Sequence, residues 1–125
     1  MAEINNRLFD AALAQMRDEA TAIYLCSADP GLDWIIATST LALASYQGIT
    51  IGATEDAPGE GRRAALQPFT GGVWTMGGAA VAYAIVDTAS ERVLASGAVS
   101  PSVVGVEGQA ITLASPLWIT FPGAA

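Results

Sequence analysis

The stretch Ala79–Asp87 constrains this chain more than any other. Val81, Tyr83 and Ile85 point to one side and the alternate positions are mostly alanine, which is the period-two pattern of a β-strand. Thr88–Glu91 then reads as a turn into Arg92–Ser96, so the two segments form an antiparallel hairpin. A hairpin alone is marginal in water and needs further strands or a helix against its apolar face. The remaining sequence supplies them. Arg63–Leu66 and Val73–Met76 are strand candidates, separated by Pro68 and Gly71-Gly72. After a break at Ser100-Pro101-Ser102 come Val103–Val106, a Glu107-Gly108 turn, Ile111–Leu113 and Leu117–Phe121. Repeated short strands at this spacing predict an antiparallel β-sandwich or small barrel.

The first half is less regular. Residues 4–17 read as an amphipathic helix, with Ile4, Leu8, Phe9, Ala12, Leu13 and Met16 on one face and Arg7, Asp10, Ala14 and Arg17 on the other. Too short to persist alone, it must pack on something. Ala22–Cys26 is a short apolar run that stops at the turn signal Ser27–Gly31. Leu32–Leu43 fits either a short helix or an extended arm. Ile49–Ile51 alternates as a strand does, and Glu55–Gly61 is a polar loop. The expected fold is α+β and mainly β, one domain over residues 1–125, with a helix at about 4–17 leaning on a β domain at about 20–122.

Several chemistries are excluded by residue type. The chain has no His, and all five basic residues are Arg. Without His there is no Ser-His-Asp triad, no Cys-His dyad and no His-based metal site. Without Lys there is no Walker loop and no Schiff base. A net charge of −7 argues against nucleic acid, whose binding rests on basic side chains neutralising phosphates. The single Cys26 has no intrachain partner and reads as a small buried hydrophobe, with an intermolecular disulfide as the other reading. Met1–Arg7 lacks the pattern of a signal peptide. The uncharged segments Trp34–Thr54 and Ala64–Val86 are too interrupted by polar residues, Pro and Gly to offer the roughly 20 apolar residues of a membrane span.

The remaining motifs are weak. Gly59-Glu60-Gly61-Arg62-Arg63-Ala64 imitates a dinucleotide fingerprint, but no strand precedes it and its acidic surroundings make a poor phosphate cradle. Glu55, Asp56 and Glu60 lack the spacing of a Ca²⁺ loop. Asp29, Asp33 and Asp87 sit where turns favour Asp for local hydrogen bonds, rather than as a catalytic pair. Trp34, Trp74 and Trp118, with Tyr46 and Tyr83, fit a core or a protein interface better than a sugar platform. No catalytic residue, metal or cofactor is implied.

Charge is distributed unevenly. Residues 1–63 hold 13 of the 17 charged side chains, and residues 64–125 hold only Asp87, Glu91, Arg92 and Glu107. Surfaces exposed to water are normally richer in charge, so this half is expected to lie against neighbouring chains, the other reading being a surface kept soluble by Ser, Thr and Gly. Trp34, Trp74, Trp118 and Phe121 are the candidate interface residues.

An ordered set of segments adds a resemblance. The helix at Leu8–Met16 is followed by Ile23–Pro30, then Gly48–Gly52 ahead of a loop ending Gly61-Arg62. Next come Gly78-Ala79 with Ala82–Asp87, Arg92–Gly97, and Val106–Gln109 with Ile111–Leu113. In this order the chain resembles small virion structural proteins of tailed bacteriophages, described as head-decoration or tail-associated. Where that family often carries Trp, this chain has Tyr83. The resemblance implies a non-enzymatic capsid decoration or cement protein, made in the host cytoplasm and placed on the outer capsid surface. Its partners would be the major capsid protein and further copies of itself, as a dimer or trimer, with neither nucleic acid nor membrane. The alternative is a tail or tail-fibre module that binds host-surface glycan through the aromatic set.

Overall fold

The computed structural model describes residues 6–56, 61–113 and 117–122, excepting the side chains of 6, 9, 61, 100, 101, 117, 118 and 120–122. It is mainly β, with one helix near the N-terminus. Helix α1 spans Asn6–Glu19 and a short π-helical turn spans Ile36–Thr40. The strands are β1 Ala22–Cys26, β2 Ala42–Gln47, β3 Glu55–Asp56, β4 Gly61–Leu66, β5 Phe69–Gly71, β6 Val73–Trp74, β7 Gly78–Asp87, β8 Arg92–Gly105, β9 Ile111–Leu113 and β10 Leu117–Pro122. The main antiparallel sheet has the order β6-β2-β1-β7-β8, and the smaller sheets are β10-β4-β3 and β5-β9. The main sheet curls into a nearly closed barrel. Beyond β8 the chain returns to β6, where Trp74 N donates to Gln109 O (2.8 Å) and Gly108 N to Trp74 O (2.7 Å).

The hairpin expected at Ala79–Ser96 is present and organises the sheet. Its turn is held by Asp87, whose Oδ1 accepts from Ala89 N (3.1 Å) and Ser90 N (3.4 Å). Strand β7 lies between β1 and β8 and is buried from Ala82 to Asp87, on both faces. Tyr83 and Ile85 join Ile23 and Leu25 in the principal core, together with Leu13, Leu66, Trp74, Ile111 and Ile119. Ala84 and Val86 face the other way and cluster with Ala22, Val93 and Ala37, the last from the π-helical turn. Alanine here is therefore no solvent face. Its small side chains let a turn of backbone settle on the sheet, close enough for the Cys26 thiol to donate to Ala37 O (3.5 Å).

Some expectations are corrected. Val81 leaves the alternation because the pairing register shifts between Ala80 and Ala82, and its side chain is exposed. The break at Ser100-Pro101-Ser102 does not end a strand. Strand β8 runs through it, and the shift in register takes up the extra residues. Leu32–Leu43 resolves into a helical turn capped by Asp33, whose Oδ1 accepts from Ile36 N (3.1 Å). Its end opens β2, a strand that alternating Ala and Leu concealed. Ile49–Ile51 forms only a single bridge, Ile51 to Leu66. Part of the polar loop, Glu55-Asp56, pairs with Arg63 and Arg62 as β3.

Helix α1 begins within the described residues at Asn6 and buries Leu13 and Met16, while Leu8 and Ala12 are exposed. Asp10, expected on the polar face, turns towards β4, where Arg62 Nε donates to its Oδ1 at 2.6 Å. Arg62 also donates to Asp56 Oδ1 at 2.6 Å and so ties the helix to β3 and β4. These two carboxylates hold the guanidinium above its ordinary pKa, chiefly through the Asp10 bond.

Trp74, a candidate interface residue, is a core side chain at 2 % exposure. Gly105 lies flat against its indole, and a Cβ at that position would sit 2.0 Å from Trp74 Cε2. A Gly105→Ala variant is expected to lose about 1–3 kcal/mol of stability through overpacking, read as a lower urea midpoint. An unchanged midpoint would contradict this packing.

Candidate functional site: a charge-poor apolar end of the barrel

Eight large apolar side chains are exposed among the described residues, and five of them, Val73, Met76, Val81, Val104 and Val106, belong to β6, β7, β8 and their connections. Met76, Val104 and Val106 are the most open of the five, at 60, 73 and 62 %. Their placement follows from the strand geometry. Val104 is paired opposite Ala79, two residues from Val81. A Cβ at Gly77, next to Met76, would lie 3.8 Å from Val106 Cα. The hydrogen bonds of Trp74 to Gly108 and Gln109 bring Val73 to the same region. The five therefore surround the point at which the main sheet closes on itself. No charged residue occurs in 64–86 or 93–106, and the one charge that borders the group is the exposed Glu107, next to Val106. Scattered exposed apolar residues are ordinary, but a group on a surface this poor in charge marks an interaction site.

The π-helical turn covers only part of the outer face of the main sheet. Ala79, Val81, Ala98, Ser102 and Val104 are all exposed. The half of the sheet near Ala37 is covered by the chain itself, and the half near the closure is open.

The other candidates have structural roles. Trp34 is half-buried and packs on the Ala22–Ala84–Val93 cluster. Trp118 and Phe121 lie in β10 opposite Ala65 and Arg62, and their side chains are outside the described residues. Tyr46 stacks on Phe69 with ring centroids 4.1 Å apart, and Tyr83 is buried, so the described aromatics make no open stacking face. Asp29 Oδ1 accepts from Gly31 N (2.9 Å), and with Asp33 and Asp87 it serves local turns. Glu55 and Asp56 are ion-paired with Arg63 (3.6 Å) and Arg62 (2.6 Å). Among the described residues no group of three or more His, Cys, Asp or Glu is arranged to hold a metal ion. The segment Gly61–Ala64 is strand, not the loop-to-helix turn of a phosphate cradle, and residues 59 and 60 lie outside the described residues. No described helix is long and apolar enough to cross a membrane.

Cys26 is fully buried beneath the π-helical turn, and burial, with a smaller contribution from Asp29, pushes its thiol up to about 11. Burial likewise raises the Tyr83 phenol above its usual value. Both groups ionise more readily in the unfolded chain. The contribution of Cys26 to stability is thus intact below pH about 9 and falls as pH rises towards 11. Thermal melts should drop across that interval, with a smaller drop in Cys26→Ala. At neutral pH Cys26 should resist alkylation until the chain is unfolded. Rapid labelling of the folded protein would contradict its placement.

Comparisons with family models, with curated proteins and with solved structures return no match.

Proposed function

We propose that this chain is a non-catalytic structural protein of a tailed-phage virion, a decoration or cement protein on the outer face of the capsid. Its partner is the major capsid protein lattice. The observation that carries the reading is the charge-poor apolar end of the barrel. Val73, Met76, Val81, Val104 and Val106 are held in water by a sheet whose neighbouring surface carries one charge, Glu107. The resemblance of its segment order to small virion proteins of tailed phages is the second support.

The proposed mechanism is burial. At about 25 cal/mol per Å², covering about 800 Å² of mostly apolar surface per copy contributes about 20 kcal/mol before association costs are subtracted. Repeated over many copies, such contacts across subunit joints would resist the outward pressure of packaged DNA. The acidic residues concentrate in the first half of the chain, which suits a face turned to solvent and away from nucleic acid. The glycan-binding alternative has less to draw on, because Trp74 and Tyr83 are committed to the core.

Cosedimentation with undecorated capsid shells tests the reading. The wild-type chain should bind, and Val104→Glu should weaken binding about tenfold or more, since a carboxylate would have to be buried unpaired. Val104 is exposed, so the variant should melt within a few degrees of the wild type. Failure of the wild-type chain to bind shells, or density confined to the tail in electron microscopy of the particle, would reject the proposal.

A further inference from the structure

The turn Val106–Gln109 stands at the rim of the exposed apolar end, and its backbone is tightly held. Gln109 N donates to Val106 O (3.0 Å), closing a four-residue turn with the left-handed Gly108, φ +88°, in third position. A second bond runs back across it, from Val106 N to Gln109 Oε1 (2.9 Å). Two more fasten it to the core, since Gly108 N donates to the O of buried Trp74 and Gln109 O accepts from Trp74 N. Four hydrogen bonds on four residues leave little freedom. What this fixed turn presents to water is Val106, 62 % exposed, and the exposed side chain of Glu107.

Glu107 is charged and unanswered. Among the described residues no hydrogen bond or ion pair engages its carboxylate. Nor does the chain offer it a cation. The five Arg lie on α1, on β4 and at the start of β8, the end of the β7–β8 ladder remote from Gly105. Arg62, Arg63 and Arg92 are moreover paired with carboxylates of their own. A partner that covers Val106 therefore also takes water from the carboxylate next to it. Left unpaired, that carboxylate would oppose the contact; met by a cation, it gains a charge-assisted hydrogen bond. The fixed turn lowers the ordering cost of that bond, because the backbone carrying Glu107 is already in place.

We infer that the capsid surface covering the apolar end carries a basic side chain, Arg or Lys, opposite Glu107, and that this pair sets the orientation in which the chain docks. The pairing rests on the decoration reading proposed above and specifies its partner, apolar at the centre and basic at one point of the rim. Charge complementarity points the same way. The chain carries −7, so a partner face of basic character draws it in and an acidic one repels it. Apolar contact has no direction of its own, and one fixed charge at its edge supplies one.

Cosedimentation with undecorated capsid shells over a salt series separates the pairing from the decoration reading. The wild-type chain should bind most tightly at low salt, with affinity falling as salt rises. Glu107→Gln should bind about 5- to 30-fold more weakly at low salt and lose most of that salt dependence. Glu107→Arg should bind more weakly still. Glu91→Gln makes the same change in net charge on the exposed hairpin turn at the far end of the β7–β8 ladder, and should bind as the wild type does. Both positions are exposed, so all three variants should melt within a few degrees of the wild type. Wild-type affinity and salt dependence in Glu107→Gln would overturn the pairing and leave the decoration reading standing. So would an equal loss in Glu91→Gln, which would assign the effect to net charge. A wild-type chain that binds no shell at any salt concentration removes the decoration reading itself, and the pairing with it.

Discussion

Burial of β7 on both faces is the constraint on which the rest of the structure depends. A strand in a half-solvated sheet needs apolar residues only at alternate positions. From Ala82 to Asp87 this strand has no exposed position. Large side chains at Tyr83 and Ile85 fill the barrel, while Ala84 and Val86 lie under the π-helical turn. The size difference between the faces explains the two kinds of cover. One face receives bulky side chains from helix and strands, and the other receives a turn of backbone.

That cover stops short, and the surface left over is where function is sought. Towards Val104 the outer face meets no further element among the described residues, and the sheet closes through Trp74, Gly108 and Gln109. Val73, Met76, Val81, Val104 and Val106 stand around the closure without charged neighbours in 64–86 or 93–106. Helix α1, held to β4 by Asp10 and Arg62, sits elsewhere and leaves this end open. The charge asymmetry of the sequence thus becomes an asymmetry of surface. A partner that buries the apolar end meets a single ion, Glu107 beside Val106, and the capsid decoration proposed above builds on that scarcity of charge.

The β7-β8 hairpin, α1, β4, β9 and β10 were legible because their periodicity is local and unambiguous. So were the local turn hydrogen bonds of Asp29, Asp33 and Asp87, which depend on residues two or three positions away. Strand β2 was not legible, since Ala42-Leu43-Ala44 suits a helix as well as a strand and only pairing with β1 decides. The exposure of Val81 was hidden for a related reason. A register shift is a property of two strands, and the alternation of one strand does not reveal it. Trp74 reads from its residue type as either core or interface. Its burial follows from Gly105, 31 positions later, which no pattern within β6 encodes. The uncharged half was readable as a property, but which part would remain exposed depended on the reach of the π-helical turn.

Hydroxyl-radical footprinting of the protein in its native assembly, set against the purified free chain, bears most directly on the claim that the apolar end is covered. Labelling at Met76, Val104 and Val106 is predicted to fall sharply on assembly, while Leu8 and Leu32, exposed elsewhere on the fold, keep their rates. Equal labelling of Met76, Val104 and Val106 in both states would contradict the account.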